Sequence, residues 1–334
     1  MAQVSVSTVS RSLNDSPLIP EHTRARIRRI AEKSGFEFNA HARSLATNRV
    51  GTIGLILPPD YDRFCVNLYH GTLHNSLRDV LERNDLDLLV TFLHNRFTGR
   101  DNVRKLTTRK KIDGLIVVQP AADRELIRFL RGAGMPFVFT HFPPPSGFPS
   151  DIDILYPDNE HGGMLAAHRF ADLGRGRPLV MSPGEGQGPE YQLRRAGFRR
   201  GLAEAGIRAK PLDLAAGDLT MESGYKAVRK MGDRVARHDA LFALNDLLAI
   251  GAVEALREMG RRVPEDVAVI GYDDTDLAAE IRPPLTTIHQ PREELSLATC
   301  TRLLERIMQR RAGGAPAKGG RTALRPRIVI RETG

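Results

Sequence analysis

From residue 51 onward the chain alternates between two kinds of hydrophobic pattern. Nearly continuous apolar runs occupy 52–58, 86–93, 113–118, 136–141, 151–158, 178–184, 239–246 and 267–274. Between them lie stretches such as LHNSLRDVLER, RELIRFLRGAG, QLRRAGFRRGLAEAG and LAIGAVEALREMG, whose apolar residues recur at helical spacing. Strands that are apolar throughout, alternating with amphipathic helices, predict parallel sheets covered by helices on both faces. Eight or more strands over this span are enough for two doubly wound lobes, so the expected class is α/β. Most apolar runs end in polar residues: PPDYD, LHN, VVQP, THF, PDN, SPGEG, LND and YDD. Ligands of open parallel sheets bind beyond the carboxyl ends of the strands. A crevice lined by Asp, Asn, His, Gln and Arg suits a polyhydroxylated or otherwise polar small molecule.

Composition narrows the class further. The 334 residues suggest roughly two domains, and 41% hydrophobic with 27% charged residues is ordinary for a soluble globular chain. No apolar run approaches the roughly 18 residues of a membrane span. The opening MAQVSVSTVSRSLND lacks the basic-then-apolar pattern of a signal peptide. Cys65 and Cys300 cannot make a disulfide framework, so a cytoplasmic location with no membrane partner is expected.

The charge is unevenly spread. Residues 1–50 hold eight Lys/Arg against four Asp/Glu, and residues 301–334 hold nine against two, while the 250 between them hold 32 against 34. A near-neutral body with a basic head points to a head that meets an anion. The basic tail is a second candidate, although GGAPAKGGR reads as a solvated loop.

Catalytic signatures are missing. There is no G-x-x-x-x-G-K-[ST] phosphate loop and no G-x-S-x-G elbow. Gly184-Glu-Gly-Gln-Gly188 has the wrong spacing for a dinucleotide turn. His70 and His74 stand four apart but lack the glutamate of a zinc helix, so a surface pair is expected. Asp273, Asp274 and Asp276 could cluster; the simpler expectation is that Asp273 meets a ligand while the other two are solvated. No enzymatic activity, metal or cofactor is expected.

The head carries the more specific pattern. Ser5 is placed to cap a helix beginning immediately after it. Val6, Ser7, Ser10 and Arg11 would project from that helix, with Val9 and Leu13 toward a core. Short polar residues and an arginine at a helix start are what reading a major groove requires. IPEHTRARIRRIAEKSG follows as a basic amphipathic helix whose Arg24, Arg26, Arg28 and Arg29 could approach phosphates.

VSVSTVSRSLND followed by IPEHTRARIRRIAEKSGFEFNAHARSLATNRVGTIGLILP resembles the lac repressor/galactose repressor (LacI/GalR) family of bacterial transcription regulators. Matching segments continue in DNEHGGMLAAHRFADLGR, RRAGFRRGL, FALNDLLAIGAVEALREMGRRVPEDVAVIGYDDTDLA and PPLTTIHQP, so the resemblance spans essentially the whole chain. It implies a DNA-binding regulator, in all expectation a repressor, with an incomplete all-α helix-turn-helix head over 1–38 and a hinge helix over 39–50. The core would resemble periplasmic binding proteins, with one lobe from 51–172 and 289–320 and the other from 173–288 and 321–334. Carried over residue by residue, Val6 and Ser7 would read bases and Arg11 a base or phosphate. Thr8, Ser10, Asn14 and Thr23 would meet phosphates. Asn39 and Ala42 lie in the hinge segment, where Leu45 would be the wedge that unstacks a central base step in the minor groove.

The effector positions carried over are Phe64, His161, Arg194, Leu219, Asn245, Asp273 and Gln290. The implied partners are a pseudo-palindromic double-stranded DNA operator, a small effector such as a sugar, and a second copy of the chain. Leu219 stands where some members stack an aromatic on a sugar ring, which leaves the sugar open. The end RPRIVIRETG has no leucine-heptad tail, which favours a dimer over a tail-linked tetramer. The family's head begins about a dozen residues before the segment matched by Val4, so the recognition helix is expected to lack its usual packing partner. An internal start at Met1 and a true deletion both account for this. A ligand-binding module that has lost DNA binding is the alternative to a regulator.

Overall fold

The computed structural model describes residues 3–13, 16–34, 49–57, 68–118, 124–184, 188–314 and 318–334, apart from the side chains of Leu68 and His70. Asn14, Asn39, Ala42, Leu45, Phe64 and hinge residues 39–48 therefore lie outside the described residues.

The head contains helix α1 (Val6–Leu13) and helix α2 (Glu21–Lys33), which pack on each other. Ser5 caps α1 as its residue type predicts, its hydroxyl accepting the Thr8 amide at 3.1 Å. The fully buried residues of this small pair are Ser12 and Ile27, while Val9 and Leu13 are only half-buried. Val9, Ser12 and Leu13 share one face at helical spacing, so the side expected to meet a core does so, with Ser12 its most buried residue.

The body holds two six-stranded sheets. The first comprises β1 (Thr52–Leu57), β2 (Asp87–Phe92), β3 (Gly114–Val118), β4 (Phe137–Thr140), β5 (Ile154–Pro157) and β11 (Arg321–Leu324), in the order β11-β5-β4-β3-β1-β2. The second comprises β6 (Pro178–Ser182), β7 (Leu212–Ala215), β8 (Ala240–Ala243), β9 (Ala268–Asp273), β10 (Thr286–His289) and β12 (Arg327–Val329), in the order β12-β10-β9-β8-β6-β7. Pairing is parallel except between β10 and β12.

The continuous apolar runs have the predicted cause. In the first sheet Ile53, Leu55 and Leu57 enter the core beneath α3 (Leu68–Glu82) and α11 (Arg292–Arg311). Ile56, Leu115 and Val117 enter the opposite core beneath α4 (Asn102–Thr108) and α5 (Arg124–Gly132). Alternate side chains point to opposite faces, so a strand covered on both sides must be apolar at every position. Each such side chain removed from water contributes about 1.5–3 kcal/mol.

The second sheet is covered by α6 (Asn159–Asp172), α7 (Pro189–Glu204), α8 (Met221–Met231), α9 (Asp246–Glu258) and the short α10 (Asp276–Glu280). Helices α6 and α7 touch backbone to backbone. A Cβ on Gly163 would enter the Arg194 carbonyl, and one on Gly197 would enter the Glu160 carbonyl. Only glycine permits that approach, and it fixes the height of Arg194 above the sheet.

The chain passes between the lobes three times: from β5 to α6, from β10 to α11, and from β11 to β12. This corrects two of the boundaries read from sequence. Residues 159–172 form α6, which packs on α7, β10 and β12 and so belongs to the second lobe. Strand β11 pairs with β5, placing 321–324 in the first lobe. A lobe boundary follows the strand a segment pairs with, and Arg-rich edge strands carry no apolar signal.

Part of the basic tail is taken up by folding. Arg302 and Arg306 pair with the buried Asp153, Arg311 with Asp113 and Arg331 with Asp274. Arg310, Lys318, Arg325 and Arg327 stay exposed, so only part of its positive charge is spent inside the fold.

Candidate effector cleft and nucleic-acid interface

The polar strand ends of the two sheets converge at the crossings. At the centre stands Arg194 on α7, 2% exposed. Its Nε donates to Asn159 Oδ1 at 2.9 Å. Its Nη1 donates to the Leu244 carbonyl at 2.6 Å and reaches Asp273 Oδ1 at 3.4 Å. The guanidinium lies 3.7 Å from the centre of the Tyr272 ring and 5.2 Å from that of Tyr191. Burial works against the charge of Arg194, but Asp273 and the two tyrosines more than offset it.

Asp273 ends β9 with φ +117°, a conformation that favours glycine. Such backbone strain costs of order 1–3 kcal/mol and persists where the surroundings hold it. Here Gln290 Nε2 donates to Asp273 Oδ1 at 2.7 Å, and Arg292 Nη1 donates to the Asp273 carbonyl at 3.1 Å. Burial pushes the Asp273 carboxyl upward, while Arg194 and Gln290 hold it back.

The first lobe contributes Tyr69 from the first turn of α3 and His141 beyond β4. Their rings lie 5.4 Å apart, and both feel the charge of Arg194. Burial keeps the Tyr69 phenol protonated and pushes the His141 imidazole down to about 3. Two neutral rings of one lobe therefore face a charged floor on the other.

Of the predicted effector residues, Arg194, Asp273 and Gln290 form this one cluster. Asn245 serves a structural bond, its Oδ1 accepting the Leu248 amide at 2.9 Å to cap α9. His161 sits half-buried on the first turn of α6, where its amide is capped by Asp158 at 3.0 Å. Leu219 packs partly buried against the core of the second lobe. Phe64 lies outside the described residues.

Sequence reasoning missed Tyr69, His141, Asn159, Glu190, Tyr191, Tyr272 and Arg292. His141 and Asn159 stand in the strand-end motifs THF and PDN, which did mark the crevice. Tyr69, Glu190 and Tyr191 sit on first turns of helices, where no strand-end signal falls.

Asp276 is exposed as expected, but Asp274 is not solvated. It accepts from His289 Nδ1 at 2.8 Å and from Arg331 at 2.7 Å. Burial acts to raise its carboxyl, yet these two partners prevail and hold it at about 2. Among the described residues the one grouping with metal-ligand proximity is His289, Glu293 and Glu294. Glu293 there pairs with Arg292 at 3.1 Å, and both glutamates begin α11, which their charge favours. His74 is partly buried on α3, and burial lowers its pKa.

On the head, Val6, Ser7 and Arg11 are exposed, and Val6 is 87% accessible. Thr8, Ser10 and Thr23 are half-buried along the same two helices.

Residues 1–39 match the model of "Bacterial regulatory proteins, lacI family", and residues 167–333 match "Periplasmic binding protein-like domain". The HTH-type transcriptional regulator CelR of Thermobifida fusca is 31% identical over 100% of this chain and 96% of its own length. The chain belongs to the LacI family. The HTH-type transcriptional repressor PurR of Aliivibrio salmonicida (strain LFI1238) is 30% identical over 92% of this chain and 90% of its own. Among solved structures, the transcriptional regulator CelR–cellobiose complex superposes with TM-score 0.70 at 28% identity, covering 100% of this chain and 97% of that one. The lac repressor dimer bound to operator and the anti-inducer ONPF shares the fold at TM-score 0.77 and 24% identity, over 99% of this chain and 96% of that one. The LacI-family architecture of a helix-turn-helix head and a two-lobed core is therefore the architecture of this protein. These relatives are transcriptional regulators rather than enzymes. No helix of the described residues is long and apolar enough to cross a membrane.

Proposed function

We propose that this protein is a cytoplasmic transcriptional repressor that binds a pseudo-palindromic DNA site as a homodimer and releases or tightens its grip when a sugar fills the interlobe cleft. The observation that carries the reading is the cluster of Tyr69 and His141 from one lobe around Arg194 and Asp273 of the other. A molecule bound there touches both lobes. Its affinity then depends on the angle between them, and it shifts their equilibrium by its differential affinity for the two arrangements. The relatives support the ligand class, since one was solved with cellobiose.

In this reading Val6 and Ser7 read base edges, and Arg11 reaches a base or phosphate. Thr8, Ser10, Asn14 and Thr23 position the head on the backbone. Asn39, Ala42 and Leu45 act in the minor groove. Arg194, Asp273 and Gln290 bind the effector with Tyr69 and His141, and the aromatic face missing at Leu219 is supplied by tyrosines instead. Phe64 and His161 are kept as effector contacts, and Asn245 acts through the start of α9, which it caps.

The test is fluorescence anisotropy on DNA from upstream of the protein's own gene, titrated with salt and then with a series of mono- and disaccharides. A steep salt slope, and a sugar that changes the midpoint, are the expected results. Sugar binding by calorimetry with no DNA binding at any salt would replace the repressor by a ligand-binding module.

A further inference from the structure

The cleft carries a carboxyl group that none of the bonds described above uses. Glu190 lies on the first turn of α7, one turn before Arg194 and on the same face. It is 9% exposed, and among the described residues its Oε2 has no hydrogen-bond partner. Its neighbours in charge are Arg194 and Asp273, so it belongs to the same site. Gly188 makes the arrangement possible, because a Cβ there would collide with the Glu190 carboxyl.

The cations of the site are committed elsewhere. Arg194 binds Asn159, the Leu244 carbonyl and Asp273. Arg292 binds the carbonyls of Asp273 and Asp274 and pairs with Glu293. Arg331 pairs with Asp274. A second buried acceptor points the same way: Gln290 spends its Nε2 on Asp273, and its Oε1, at 1% exposure, has no partner among the described residues. Among the described residues two buried acceptor oxygens of this wall therefore meet no donor, and one of them belongs to a carboxyl that Arg194 opposes only from a distance, without a direct ion pair.

Buried polar groups of this kind are costly until a ligand pairs them, and that cost is what rejects ligands unable to do so. A hydroxyl gives Glu190 a hydrogen bond but no charge, whereas an ammonium gives both. We propose that Glu190 is a specificity-determining residue and that the effector is an amino sugar whose ammonium pairs with it. This rests on the sugar reading above and deepens it. Burial pushes the Glu190 carboxyl upward, and Arg194 opposes that shift; a bound ammonium would act in the same direction as Arg194.

The test uses the full chain and matched pairs: glucose with glucosamine, and cellobiose with the fully deacetylated chitosan dimer. Calorimetry measures each affinity at pH 7. The expected result is at least tenfold tighter binding of the amine member in a pair. In Glu190→Gln that ratio falls toward one, and N-acetylation of the amine abolishes it in the unaltered chain. Gly188→Ala, which displaces the carboxyl while keeping its charge, should reduce the ratio as well. Thermal melts of both variants confirm that they fold. Equal or tighter binding of the hydroxyl members, or an amine preference that survives Glu190→Gln, leaves the sugar reading standing and overturns this assignment. Failure of every member to bind the unaltered chain overturns both.

Discussion

Replacing Arg194 with methionine tests the centre of the structure directly. The substitution keeps much of the side chain's length and removes its charge. It strips the donor from the Leu244 carbonyl and from Asn159 Oδ1, and removes the cation stacked at 3.7 Å on Tyr272. Above all it leaves Asp273 buried without its partner. Removing one member of a buried pair costs about 3–5 kcal/mol, most of it the penalty on the charge left behind. For a chain of this length the unfolding entropy makes 1 kcal/mol worth about 1.4 °C of melting temperature, so a fall of roughly 4–7 °C is expected.

The pH dependence separates this cause from simple loss of packing. Burial already raises the Asp273 carboxyl above its ordinary value, and losing Arg194 raises it further. A group whose folded value lies above its unfolded one adds stability at low pH and loses it as pH rises through the folded value. The deficit of Arg194→Met relative to the parent should therefore be larger at pH 8 than at pH 5. The double variant Arg194→Met with Asp273→Leu, which leaves no orphan charge, should recover part of the loss. Differential scanning calorimetry at the two pH values reads all of this. A fall of less than 2 °C, or a deficit that grows as pH drops, would refute the account.

Gly197→Ala should destabilise by at least the 1–3 kcal/mol of an overpacked core, because the new methyl meets a carbonyl of α6 rather than a movable side chain; denaturant melts measure it, and effector affinity should fall with it. Asp274→Asn should lose about 1–2 kcal/mol at pH 7, a figure already reduced for the group's partial exposure. Because that carboxyl sits below its ordinary value, its contribution is present above about pH 4 and disappears as pH falls toward 2, so parent and variant melts should converge in acid. Ser5→Ala should weaken α1 by about 1 kcal/mol through the lost cap, seen as weaker DNA binding with an unchanged salt slope. Arg11→Ala, by contrast, should weaken binding and reduce the slope if the side chain meets a phosphate.

The fold was largely legible because buried parallel strands must be apolar at every position, and all eight apolar runs fall on strands. The four strands that escaped notice are those whose composition is set by something else. β7 is an exposed edge, β11 and β12 are arginine-bearing edges, and β10 buries two threonines, Thr286 and Thr287, that hydrogen-bond to Gly334 and Asp246. The site was legible where a polar residue ends an apolar strand, as at Asp273. Tyr69 and Glu190 were not, because a residue on a helix's first turn reads as part of an amphipathic pattern. Arg194 shows the middle case. Its helix is written as basic and amphipathic, and its periodicity alone does not say which arginine turns inward; the family resemblance pointed to Arg194, and the physical cause lies in Gly163 and Gly197, which let two helices touch.

The triple crossing between lobes bears on how the chain acquires its structure. The second lobe runs almost without interruption from 159 to 289 and lacks only β12. The first lobe, although begun earlier, lacks α11 and β11 until residue 324 has been made. The half started first is therefore the half completed late, and its sheet stays open along the β5 edge while the whole of the other half emerges. Contacts spanning that much sequence form slowly, and a waiting strand edge is open to wrong partners. Synthesis of this protein should thus depend more on protection of residues 52–157 than on protection of the segment that follows them.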